Sequence, residues 1–178
     1  MNHRMRTTVQ AALRTALLCL LAQATIPMPS GVPITLQTFA VALAGYCQDP
    51  KRAALSVTAY LLLGLVGVPV FSAMQGGIGV FAGPTGGFLI GFVPFAVLCA
   101  LAAAAPHIGW TIVLSVAGLA CCHACGVVWF SVVAKAALGR AFLLVSAPYL
   151  IKDAASVLVA YLLARAVRKA LARSEQKA

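Results

Sequence analysis

Acidic side chains are nearly missing from this sequence: its 178 residues include only Asp49, Asp153 and Glu175, against 13 lysines and arginines. Charge of either sign is scarce, at 9% of the chain, where a soluble domain carries about 25%. With 62% hydrophobic residues, the chain cannot cover its surface with polar groups in water. That excludes a soluble globular protein and makes the lipid bilayer its solvent. One span takes about 20 apolar residues, so roughly six would use nearly the whole length and leave no room for a soluble enzyme domain. A Walker A sequence is also missing. The glycine-rich run GGIGVFAGPTGG at 76–87 follows no predicted strand, and no Lys-Ser or Lys-Thr comes after it to meet phosphate and magnesium. No ATP hydrolysis is expected of this chain by itself, and nothing in it calls for a cofactor.

The net charge of +10 first reads as nucleic-acid binding. The basic residues, however, sit at the ends of apolar runs rather than in a stripe interleaved with aromatics, so no nucleic-acid partner is expected. The six cysteines (Cys19, Cys47, Cys99, Cys121, Cys122 and Cys125) lie in or beside apolar segments and form no secreted disulfide framework. Cys121-Cys122-His123-Ala124-Cys125 contains a C-x-x-C but lacks a second ligand pair elsewhere, so it does not read as a metal site. These are small residues packing a buried helix, with His123 facing protein or a polar cavity.

The start of the chain mimics a signal peptide, with Arg4 and Arg6, an apolar stretch, and Ala22-Gln23-Ala24 in the place of a cleavage site. Arg14 interrupts the stretch and further apolar segments follow, so residues 8–26 read as a retained first helix stopped by Pro27 and Pro29. Further helices are expected at about 35–47, 53–68, 86–104, 110–134 and 148–170, the last with Ser146 as its cap. The second is too short to cross a bilayer unaided. The expected architecture is all-α: one polytopic transmembrane domain over residues 1–178, a six-helix bundle. The connection with Lys135, Gly139 and Arg140 is apolar enough to lie against the protein or the membrane surface.

Orientation follows from the positive-inside rule. With the N-terminus inside, nine basic residues (Arg4, Arg6, Lys51, Arg52, Arg165, Arg168, Lys169, Arg173 and Lys177) fall on the cytoplasmic side, against Lys135 and Arg140 outside. Both termini are therefore expected in the cytoplasm. The uncharged connections 27–34 and 69–85 then lie on the outer face. Irregular apolar backbone at that depth is tolerated where it is buried in protein or lines a cavity, so both read as walls or lids of a pocket open to the outside.

Asp153 is the most informative residue. It lies in the outer half of the sixth helix, about 18 Å along the axis from Arg165 at 1.5 Å per residue. A carboxylate within the membrane costs roughly 2.5–3.5 kcal/mol and marks function by default. Neighbouring Lys152 offers self-neutralisation, but adjacent helical residues point about 100° apart, so each charge is expected to need its own partner. Lys152 can also snorkel to the interface. Tyr149, Asp153 and Ser156 share a face. Gln23, Gln37 and Gln75 are amides near the expected pocket, suited either to a neutral polar ligand or to hydrogen bonds between helices. Gly87 and Gly91 form a small-xxx-small face on the fourth helix, and Ala12 and Ala16 another on the first.

Three segments carry a resemblance: VPITLQTFAVALAG at 32–45; YLLLGLVGVPVF with GGIGVFAGPTGGFLIGF at 60–71 and 76–92; and APYLIKDAASVLVAYLLA at 147–164. Together they resemble the BioY family, the biotin-specific substrate-binding (S) subunits of energy-coupling-factor transporters. The resemblance implies a six-helix fold in a bacterial plasma membrane, with a biotin pocket near the outer surface. It implies partners too: a transmembrane coupling subunit and two cytoplasmic ATPase subunits. By resemblance Asp153 meets the ureido ring. Lys152, Tyr149, Gln37 and Phe71 are further candidate contacts, with Gly87 on the glycine-rich segment and Ser72 or Gln75 standing for the family's polar residue after the P-V-F. Ala12 and Ala16 are the candidate partner interface. The rival readings are a solitary carrier for biotin or another small vitamin, and a membrane-embedded enzyme built on the CCHAC residues and His107.

Overall fold

A computed structural model describes the backbone of residues 3–175 and the side chains of residues 9 and 11–170. Eight α-helices follow one another: α1 (His3–Ala22), α2 (Gln37–Tyr46), α3 (Pro50–Leu65), α4 (Ile78–Ala82), α5 (Gly86–Ala104), α6 (Ile108–Val133), α7 (Leu138–Val145) and α8 (Ala147–Glu175). Six of them correspond to the expected helices. The third begins three residues early, because Asp49 caps it, accepting a hydrogen bond from the Arg52 N–H at 3.1 Å, and Pro50 supplies a preset φ in the first turn.

The first helix ends at Ala22, short of the expected residue 26. Thr25–Ile26 (β1) instead pairs antiparallel with Ile34–Thr35 (β2), so the first connection is a small hairpin. Pro27 holds the residue before it in extended backbone, and β-branched side chains fit a strand. The fifth connection is not irregular. It contains α7, which buries Ala141 and Val145 and exposes Leu138, Phe142, Leu143 and Leu144. The third connection holds a single 3-10 turn at Ser72–Met74 and then α4.

The surface is the inverse of a soluble protein's. α6 turns Trp110, Ile112, Val113, Val116, Val128 and Val132 outward, and α8 exposes Ile151, Leu158, Val159, Leu162 and Leu163. α5 and α6 are each long and apolar enough to cross a bilayer, and α7 with α8, bent by 51°, pass together. α2, of 10 residues, does not reach across, as its length predicts. Inside, small residues bring helices together. A Cβ on Gly87 would stand 2.3 Å from the Trp129 Cβ and 2.4 Å from the Cys125 carbonyl, so α5 touches α6 there. Gly64 similarly leaves room for the ring of Phe71, which also stacks edge-on against Tyr60 and Phe81.

Candidate functional site

α2 and α8 cross beside the hairpin, and a cleft opens between them. Its walls are Val32, Phe88, Leu89, Phe92 and Val145, and its polar groups come from Thr35, Gln37, Thr38, Thr85, Tyr149, Lys152 and Asp153. It is narrow, with a cavity volume of about 50 Å³. A wider vestibule sits on top, formed by the first connection and the glycine-rich third one and sharing Pro33 and Thr85 with the cleft. The two uncharged connections thus wall a pocket at one end of the bundle.

Asp153 lies at the cleft's base, 5% exposed. Its Oδ2 meets His123 Nε2 at 3.3 Å, and Ser146 Oγ meets His123 Nδ1 at 2.9 Å. The consistent assignment has the serine hydroxyl donating to Nδ1 and Nε2–H donating to the carboxylate. Ser146 accepts the Leu150 N–H through its carbonyl, as a residue preceding α8 should, but its hydroxyl serves His123 rather than the helix. Asp153 Oδ1 differs from Oδ2. The Lys152 ammonium forms an ion pair with Oδ1.

The contact with Lys152 corrects the expectation that the two neighbours would need separate partners. Their Cα–Cβ vectors do diverge, but the lysine stem is long enough to fold back. Its ammonium also donates to the Thr35 carbonyl at 2.9 Å, tying α8 to β2. Tyr149 does the same one turn earlier: its hydroxyl donates to the Val32 carbonyl and lies 3.2 Å from Ser30 Oγ. Two residues of α8 thus hold the hairpin over the cleft.

The remaining candidates separate. Gln37 lines the cleft, but its amide is engaged: Nε2 donates to the Tyr60 hydroxyl at 2.6 Å and Oε1 accepts from Thr35 Oγ1 at 3.1 Å. Ser72 and Gln75 line the vestibule, Ser72 buried and Gln75 exposed. Phe71 is 1% exposed in the core between Tyr60 and Phe81, and Gly87 faces α6, so neither lines the cleft. Ser156 is not among the cleft residues either. Gln23 works structurally: Nε2 donates to the carbonyls of Cys19 and Val70, and Oε1 accepts the Met74 N–H at 3.0 Å. That bond steadies a strained turn, in which Ala73 and Met74 both have φ of 56°. Ala12 and Ala16 are exposed on α1, beside a groove floored by α3.

Sequence reasoning left His123 out of the site. The signal was present, a lone histidine on an apolar helix, but linear spacing does not place α6 against α8. Among the described residues no group of three metal-ligating side chains comes together, and Cys122 instead packs against α5, its thiol 3.8 Å from the Phe88 carbonyl.

Known proteins share both sequence and shape with this chain. It is 42% identical to the biotin transporter BioY of Thermotoga maritima over 69% of its own length and 73% of the relative's. Identity with the biotin transporter BioY of Rhodobacter capsulatus is 36%, over 80% and 82% of the two chains. A crystal structure of the S-component for biotin from an ECF-type ABC transporter superposes with a TM-score of 0.83, covering 95% of each chain at 26% identity. The sequence profile of the BioY family matches residues 1–173, and the chain belongs to that family.

Proposed function

We propose that this chain captures biotin as the S component of an ECF-type transporter in the bacterial cell membrane. The observation that carries this reading is Asp153: a buried carboxylate, paired with Lys152 and His123, in the lining of a cleft with apolar walls. A carboxylate buried within a membrane bundle is costly and marks a functional position. Biotin offers N–H donors on its ureido ring, an apolar ring and tail, and a carboxylate at the far end. The ureido fits Asp153, and the tail fits Val32, Phe88 and Val145. The ligand's carboxylate, at its other end, faces the vestibule. Lys152, held between Asp153 and the Thr35 carbonyl, then acts as the counter-charge that keeps Asp153 ionised and accepting.

Transport follows from what the chain carries and what it leaves to others. Without a phosphate loop it supplies recognition, while a transmembrane coupling subunit and cytoplasmic ATPases supply the energy. The names of the relatives support biotin as the cargo, and the S-component likeness supports the division of labour.

The test is Asp153→Asn, with biotin affinity and thermal stability measured on the same purified protein. The amide keeps the shape but turns either a donor or a weaker acceptor toward the ureido. Hydrogen bonds to charged groups are worth roughly 1.5–3 kcal/mol, so affinity should fall about ten- to over a hundredfold. Desthiobiotin, which keeps the ureido, should still compete for the wild-type protein. A variant that loses stability but binds normally would make Asp153 an internal structural partner and refute the assignment.

A further inference from the structure

A second polar cavity lies at the opposite end of α2 and α8 from the ligand cleft, and nothing in the biotin reading uses it. Along α8, Arg168 stands 15 residues beyond Asp153, about 22 Å at 1.5 Å per residue. Arg14, Arg52 and Arg168 converge on this cavity from α1, α3 and α8, with Tyr46, Cys47 and Asp49 completing much of its wall. Its cavity volume is about 230 Å³. The one carboxylate is already committed. Asp49 pairs with Arg52 at 3.0 Å and caps α3. The other ion pairs among the described residues both involve Asp153, so neither Arg14 nor Arg168 has one.

Each of these two guanidiniums spends one donor on a carbonyl at a helix end. Arg14 Nη2 reaches the Cys47 carbonyl after α2 at 3.5 Å, and Arg168 Nη1 reaches the Ala103 carbonyl in the last turn of α5 at 3.2 Å. A guanidinium has five N–H donors, so most remain open. Capping helix ends accounts for each arginine singly; it does not require both to face one cavity whose one carboxylate is already paired with Arg52. Arg14 is the more telling, because it interrupts the apolar part of α1, Ala11–Ala22, where a cation is costly.

The geometry points to an anion site at this end of the bundle that takes a phosphate group between Arg14 and Arg168. Paired guanidinium forks match the oxygens of a phosphate bidentately. Two sources carry that chemistry: the headgroup of an acidic phospholipid in the adjoining leaflet, and soluble phosphate. Basic pockets between membrane helices near the inner leaflet are known to hold lipid headgroups.

The full-length protein, purified in detergent, is titrated with phosphatidylglycerol, phosphatidylcholine or inorganic phosphate, and the bound species are counted by native mass spectrometry. Wild type should retain phosphatidylglycerol in preference to phosphatidylcholine, or else inorganic phosphate, and the arm that responds identifies the source. Arg14→Gln with Arg168→Gln should weaken that retention about tenfold or more. Lys51→Gln with Lys169→Gln removes the same charge elsewhere and should not. Biotin affinity should stay at the wild-type level in both pairs, which separates this site from the ligand cleft. If the arginine pair does not fold, dicarbonyl labelling of wild type replaces it: the bound anion should protect Arg14 and Arg168 while Arg165 stays reactive. Equal retention of both lipids without phosphate binding, equal losses in the two variant pairs, or no protection would overturn the site. So would a wild type that holds neither probe but loses assembly with an acidic partner subunit when the arginines are replaced.

Discussion

Asp153 has each oxygen held by a different residue, Oδ2 by His123 on another helix and Oδ1 by the neighbouring Lys152. His123 bridges Ser146 and Asp153, so the imidazole helps fix the carboxylate's rotation beside the cleft. His123 is therefore a positioning residue. His123→Gln should give a folded protein whose biotin affinity falls about tenfold, because the carboxylate regains rotamers that aim it elsewhere. Ser146→Ala, which removes only the group behind the ring, should lose less. Equal affinity in wild type and His123→Gln, measured by isothermal titration, would reduce the imidazole to packing. Asp153 itself was legible from the sequence because charge within a membrane is expensive. Its partners were less so. The contact with Lys152 depends on how a long flexible stem folds back, and the contact with His123 depends on α6 meeting α8; neither leaves a trace in residue spacing.

The long helices were readable because apolar runs bounded by proline, glycine and charge leave few alternatives. Asp49-Pro50 marks the start of α3 and Gly67, at φ 100°, follows its end. The hairpin β1–β2 and the helix α7 escaped notice for different reasons. Two-residue strands exist only because their partner is held nearby, here by Lys152 and Tyr149 of α8. α7 is amphipathic, burying Ala141 and Val145, but at eight residues with Gly139 near its start it is too short to stand out from a connection. On α1 the pattern carries more information. Thr15 Oγ1 donates to the Ser56 carbonyl at 3.1 Å and turns that face toward α3, while Ala12 and Ala16 remain exposed and line a groove shared with Leu55, Leu62 and Leu63. A face of small residues lets another helix approach closely, which suits the coupling subunit. Ala16→Trp should therefore abolish biotin uptake in cells that contain the complete transporter, with binding to the purified chain unchanged. A parallel loss of binding would assign Ala16 to the chain's own packing.

Across the whole bundle, polarity is segregated by end. The cleft with Asp153 and the uncharged connections occupies one end, and the arginine-lined cavity occupies the other. This arrangement joins two separate arguments about orientation. Basic residues are retained on the cytoplasmic side of a membrane, and the cavity formed by Arg14, Arg52 and Arg168 is on the same end as Lys51 and the run Arg165–Lys169. A pocket that captures a nutrient must open on the other side, where the vestibule is. Both arguments predict residues 48–52 in the cytoplasm and residues 69–85 outside. The termini should then share the cytoplasmic side, since an even number of crossings returns the chain to where it began; α2, although short, counts as one because it connects the hairpin end to the arginine end. Cysteine-accessibility labelling in intact cells checks this, on a background where the native cysteines are replaced by alanine. Cysteines introduced at Gln75 and Gly77 should react with a membrane-impermeant maleimide, and those at Lys51 and Lys169 should react only after the cells are opened. Labelling of Lys51→Cys from outside would invert the orientation and leave the cleft facing the cytoplasm, where it could not serve uptake.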